Sequence, residues 1–303
     1  MKKIDFHVHV SKDIPLEESA AYLTDMCARH GYEGVNILAL TYDFPEKCNE
    51  MCLTLSKMIP NSHAFCCLLP GEDYAAQAER LMGMGFDGIK LIRGGKPSFY
   101  RDCGHLFDDA IYEDFFALAE KEQYPIIMHN NDPEIYWDIT RISKKALEKG
   151  WYYDESLPSH ARYFEAVDRV LERHPNLKIA LAHMGFYSEK IDKAFELMEA
   201  YPNLYMDATP ALNIYEELSL VRDQAELFFR TYHDRIFFGS DATNLLVGYE
   251  REKNDKKNEI VPYFFSGGEP TMLHGMKISP IRLEPHMLEN IYYNTAMKFI
   301  EKE

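Results

Sequence analysis

The stretch Ile4-Asp-Phe-His-Val-His-Val10 decides how the rest of this chain is read. It has the length and the apolar, β-branched character of a strand. It ends in His7-Val-His9, where an open doubly wound sheet would carry a glycine-rich phosphate turn. Seven more runs of the same kind follow: Val35–Leu40, His63–Leu69, Gly88–Ile92, Pro125–His129, Lys178–His183, Leu204–Thr209 and Arg235–Asp241. Segments with apolar residues at helical spacing separate them, such as Asp108–Glu120 and Ser188–Glu199, with Asp108 and Ser188 as expected N-caps. Gly31, Gly85, Pro175 and Pro202 mark helix ends. Strand then helix, eight times over, predicts an α/β fold of the parallel (β/α)8 TIM-barrel type, with residues 1–303 as one domain. Two βα connections are long. The one after the fifth strand, from Asn130 to about Glu155, is expected to hold an extra helix. The one after Asp241, at the end of the eighth, includes Pro262-Tyr-Phe-Phe-Ser-Gly-Gly-Glu-Pro270, read either as a lid or as a solvent-exposed excursion.

Composition narrows the partners. The 303 residues carry 33 Lys and Arg against 49 Asp and Glu, a net charge of −16. That balance disfavours a nucleic-acid backbone as the main partner and leaves a small molecule as the expected one. No apolar run approaches the roughly 20 residues of a membrane span, so no membrane partner is expected. The N-terminus reaches Asp5 and His7 too early for a secretory apolar stretch. Six cysteines without a paired CxxC pattern fit a cytoplasmic location. Homo-oligomers are common at this size.

Alternate residues of a strand face the same way, so His7 and His9 project together as a two-toothed metal grip, with Asp5 on the same face as a candidate to orient them. Alone the pair is weak, because His-x-His also occurs on exposed strands. His129, His183 and Asp241, however, end the fifth, sixth and eighth runs. Five metal-competent residues at the carboxyl ends of four strands sit on the face where barrels carry their chemistry, and packing gives no reason for them. Lys90, in the fourth run, is a lysine expected to be buried. It is open to three roles: a carboxylated bridge between two metals, a partner for an acid, or an anion contact. Arg93 is the expected exposed anion contact beyond it.

Asp5-Phe-His7-Val-His9, Gly88-Ile-Lys90-Leu, Ile127-Met-His129, Leu181-Ala-His183-Met-Gly185 and Phe238-Gly-Ser-Asp241 together resemble the amidohydrolase superfamily. More narrowly they resemble the branch that includes aminocarboxymuconate semialdehyde decarboxylase, over nearly the whole chain. The resemblance implies a distorted barrel with one divalent metal, zinc first, held by His7, His9, His129 and Asp241. It places His183 at the metal or beside the substrate. A second metal on a carboxylated Lys90 is the alternative. The implied chemistry is hydrolysis of a small amide, ester or lactone, an anionic one included, by a metal-bound water with a pKa of about 7. Asp241 would serve as general base and His183 as the contact to the developing oxyanion. The alternative is a metal-dependent nonoxidative decarboxylase, and the third reading is a catalytically silent ligand-binding barrel. His129-Asn-Asn-Asp and Asp241-Ala-Thr-Asn depart from the Pro-Trp-Asp and Tyr-Pro that follow these positions in decarboxylase relatives. Lys90, Arg93, Asn130, His160, Tyr187 and Thr209 are the candidate substrate contacts.

Overall fold

The computed structural model describes residues 1–40, 45–71, 73–211, 213–244 and 249–301. Part of the long segment after Asp241, at 245–248, therefore lies outside the described residues. Each of the eight expected runs contains a strand: β1 (Asp5–His9), β2 (Val35–Leu38), β3 (His63–Cys67), β4 (Gly88–Leu91), β5 (Ile126–Met128), β6 (Ile179–Leu181), β7 (Leu204–Asp207) and β8 (Ile236–Phe237). All are parallel and pair in chain order, and a ninth short strand, β9 (Ala242–Thr243), pairs with β1. β8 and β9 are two pieces of one interrupted eighth strand, the first on β7 and the second on β1. Phe6 N donates to Phe238 O (3.1 Å) and Asp241 N to His7 O (2.8 Å), which joins the last strand to the first. The result is a distorted (β/α)8 barrel.

Side-chain alternation then sorts the residues. Phe6, Leu38, Phe65, Ile127, Ala180, Tyr205 and Phe237 form one buried cluster inside the barrel. Phe299 of the last helix, Thr295–Ile300, packs against the rings of Tyr205 (4.9 Å) and Phe237 (5.3 Å). Two residues further along their strands, on the same inward side, stand Lys90 above Gly88, His129 above Ile127 and Asp207 above Tyr205. The apolar layer thus forms a floor, and the polar layer above it is the site.

β1 breaks this simple alternation. Its register against β2 shifts between Asp5 and Val8, as at a β-bulge. Asp5 therefore does not orient the His7 or His9 rings, contrary to expectation. Its carboxylate accepts from Ser240 N (2.8 Å) and Ser240 Oγ, fixing the backbone next to Asp241. Burial pushes the Asp5 carboxyl up to about 7, despite the lowering effect of the Ser240 hydrogen bonds.

Three local expectations are corrected by tertiary contacts. Asp108 does not cap a helix; its carboxylate binds Arg162 (2.8 Å) and Arg169 (2.9 Å), and the helix starts at Glu113 after a 3-10 turn. Ser188 lies in a 3-10 turn and donates to Glu217, with the helix beginning at Ile191. The lid reading of Pro262–Pro270 fails because Pro262, Tyr263 and Phe264 belong to the helix Tyr249–Phe264, and Phe264 and Phe265 are buried in the core. Exposing those rings would forfeit the burial that holds them there. The connection after β5 does hold extra turns, Glu134–Trp137 and Lys144–Glu148.

Candidate metal centre

His7 and His9 stand at the carboxyl end of β1, and both rings are fixed by their Nδ1 atoms. His7 Nδ1 donates to Asp207 Oδ2, and His9 Nδ1 donates to Leu38 O (2.9 Å). A carbonyl oxygen can only accept, so Nδ1 is the donor and the tautomer it selects presents Nε2 as a lone pair. His7 is held neutral. Burial and the charge of Lys90 push it down to about 4, and they outweigh the opposing pull of Asp207. The two Nε2 atoms face each other at 3.1 Å, and Asp241 Oδ1 lies 3.4 Å from that of His9 and 4.0 Å from that of His7.

Three acceptor atoms thus converge, none bringing a proton of its own, with the Lys90 ammonium 3.4 Å from His7 Nε2. Their ligand atoms all lie within 4.8 Å of one another, and this is the only such group of His, Cys, Asp and Glu found among the described residues. Such a set repels itself unless a cation sits inside it, and two imidazoles with a carboxylate suit a borderline divalent ion. The residues therefore fit the metal that the resemblance implies.

Asp241 reaches this point through a left-handed backbone (φ 54°), a costly conformation for a residue with a side chain. Gly239, two residues earlier, permits the approach. A Cβ there would lie 2.4 Å from His7 Cβ and 2.6 Å from Thr209 Oγ1. The outer oxygen of Asp241 is engaged, since Lys257 Nζ donates to Oδ2 (2.5 Å) and to the Asp241 carbonyl (2.5 Å). Burial alone would raise the Asp241 carboxyl; Lys257 and the neighbouring imidazoles hold it well below its ordinary value. Lys257 comes from the helix Tyr249–Phe264, which is anchored on the same face. Asn254 binds both the N–H and the carbonyl of Thr243, and Asn258 accepts from Tyr32 OH.

Lys90 Nζ sits 3.4 Å from His7 Nε2 and is buried, which pushes its pKa down to about 8. Its burial agrees with the expectation from its strand. His129 behaves differently. It follows β5, but its Nε2 meets Asp132 Oδ1 (3.1 Å) instead of the His7 group. Asp132 is itself buried, bound by Lys96 (2.9 Å) and Tyr153 OH (2.5 Å). His183 lies in a left-handed turn after β6 (φ 56°), its ring 5.2 Å from that of His7 and 5.3 Å from that of His129. Its Nδ1 donates to Thr209 O (3.4 Å), so Nε2 is an acceptor, whereas an oxyanion contact needs a donor. Burial holds this ring far below its ordinary pKa.

The remaining candidates lie around this centre. Asn130 donates to Gly185 O (3.0 Å), Thr209 N donates to Asp207 Oδ1 (2.8 Å), and the Tyr187 ring packs on Phe164, which in turn meets His160 (5.0 Å). Asn130 Oδ1, His160 Nε2 and Tyr187 OH are buried atoms without a hydrogen-bond partner among the described residues. Buried polar atoms normally have one, so each is a place for water or ligand. The Arg93 guanidinium lies over the Phe99 ring (5.0 Å), half-buried instead of exposed.

Asp207, Lys257 and Asp132 were not among the sequence candidates. Asp207 had a signal, a carboxylate at the carboxyl end of the seventh strand. Lys257 had none, standing in the charged run Glu250–Glu259.

A family model described as amidohydrolase matches residues 4–301. No curated protein matches the chain. Among solved structures, IDCase from Metarhizium anisopliae in apo form superposes with a TM-score of 0.62 at 13% identity, covering 100% of this chain and 98% of that one. An amidohydrolase from Burkholderia multivorans with bound zinc gives 0.58 at 14%, covering 99% of each chain. A dihydroxybenzoic acid decarboxylase from Polaromonas sp. JS666, with bound manganese and the inhibitor 2-nitroresorcinol, gives 0.56 at 15%, covering 99% and 96%.

Proposed function

Because the chain belongs to the amidohydrolase family, we propose that it is a metal-dependent enzyme that releases the carboxylate of a small carboxylic acid as carbon dioxide. The observation that carries this is the pair of lysines at the centre. Lys90 stands against His7 and Lys257 against Asp241, in a chain of net charge −16. Two ammonium groups gathered where the rest of the molecule is acidic suit an anionic substrate. The decarboxylase and the IDCase among the superposed structures agree in direction with that choice.

A divalent ion held by His7, His9 and Asp241, with His129 as a further donor once it leaves Asp132, would supply a Lewis acid for a substrate oxygen. Lys90 and Lys257 bind and orient the carboxylate. The buried walls exclude water, which favours the change from a localised carboxylate charge to neutral carbon dioxide. The carbon left behind takes up one proton, a role we assign to the Lys257 ammonium bonded to Asp241 Oδ2. The asymmetry at Asp241 supports this assignment, because the oxygen that hydrolysis would use as a base is engaged by a cation.

Hydrolysis of a small carbonyl compound is the second reading. It is favoured by the acceptor atom His183 Nε2 beside the cluster. The test is a panel of small cyclic and aromatic carboxylic acids, amides and lactones, with manganese- or zinc-loaded protein in 18O-water. Carbon dioxide release without 18O in the organic product is expected. Product that carries 18O with no carbon dioxide would replace the first reading by the second.

A further inference from the structure

We propose that Asp207 is a positioning residue of the metal centre: it fixes the proton of His7 on Nδ1 and so keeps Nε2 as a lone pair aimed at the ion. The proposal rests on the metal-centre reading above. Asp207 ends β7, is fully buried, and uses both oxygens. Oδ1 accepts from Thr209 N (2.8 Å) and His183 N (3.2 Å), which ties down the turn that carries His183. Oδ2 accepts from His7 Nδ1.

An asparagine oxygen would serve the two backbone N–H groups equally well. Only the contact with His7 needs a carboxylate, because the second group of an amide is a donor and His7 Nδ1 is a donor too. Burying a charge is expensive unless it is hydrogen-bonded, and the bonds from His7, Thr209 and His183 satisfy this one. Lys90 at 3.4 Å from His7 Nε2 agrees with the assignment, since an ammonium can only donate and the ring atom facing it must accept. Asp207 thereby links the seventh strand to the first, 200 residues away in sequence.

The test is Asp207→Asn, with two readouts that do not depend on turnover. Titration of metal-free protein with Zn2+ should show affinity falling about 10–100-fold, the usual cost of losing a partner that orients a ligand. The variant should keep its circular dichroism, since the backbone bonds survive. Long-range 1H–15N spectra of metal-free protein, with His7 assigned through His7→Gln, should show the proton on Nδ1 in the wild type and on Nε2 in Asp207→Asn. Equal Zn2+ affinity in the two proteins would overturn the role of Asp207 while leaving the centre standing. A wild-type chain that binds no metal would remove the centre itself, and the role with it. If the variant does not fold, the wild-type spectrum still decides, because a proton on His7 Nε2 there overturns the proposal.

Discussion

The two sides of the site are built differently. On the side of β1 and the interrupted eighth strand, His7, His9 and Asp241 reach one another directly, and each is braced from behind by a group in a strand or an anchored helix: Asp207, Leu38 and Lys257. On the side of β5 and β6, His129 turns to Asp132 three residues on, and His183 rides a run of left-handed residues. The first side is assembled by strand register, which fixes positions closely. The second is assembled by loops, whose contacts can be exchanged for others. Hence the first side has the form of a preorganised ligand set, and the second that of a group able to rearrange when metal or substrate arrives.

The largest expected effect separates these sides by metal affinity. His9→Ala should lower Zn2+ affinity by well over the roughly 100-fold cost of a lost orienting partner, whereas His129→Ala should lower it by less. Elemental analysis after dialysis measures both, and equal losses would mean that the Asp132 contact is given up whenever metal binds.

Acid titration should affect both sides alike. His7 and His129 are each held at about 4 against an ordinary 6.5, mainly by burial. Between those values the unfolded chain binds more protons than the folded one. The stabilisation is therefore complete above pH 6.5, is lost progressively as the pH falls from 6.5 to 4, and changes little below that. Each ring accounts for on the order of 3 kcal/mol at full protonation. Urea midpoints of metal-free protein between pH 7 and 4.5 should fall steadily. His7→Gln and His129→Gln should each flatten the slope, and a flat wild-type profile would contradict the burial of both rings.

A smaller effect compares the two close backbone approaches. A Cβ on Gly239 would meet His7 Cβ at 2.4 Å, and one on Gly95 would meet the His129 carbonyl at 1.9 Å. Gly239→Ala and Gly95→Ala should each cost about 1–3 kcal/mol, as overpacking does, read as a lowered melting temperature. Gly239→Ala should also weaken Zn2+ binding more than Gly95→Ala. The reverse order would shift the rigid part of the site to the β5 side.

What the sequence by itself determined is the barrel and the line of its donors. Strand and helix periodicities are local, so the eight runs could be read directly. A residue at the carboxyl end of a barrel strand lies on the catalytic face whatever its neighbours do, which is how His7, His9, His129, His183 and Asp241 were legible. What only the tertiary structure decided is which of these meet and what stands behind them. The turn of Asp5 onto Ser240, the turn of His129 onto Asp132, the bond from Asp207 to His7 and the arrival of Lys257 at Asp241 all depend on register between distant strands and on how loops pack. Even Asp207, at the carboxyl end of its strand, became more than another acid only when folding set its second oxygen against a ring 200 residues away. Local pattern carries no information about such pairings, because the free energy that selects them comes from burial and charge shared across the whole barrel.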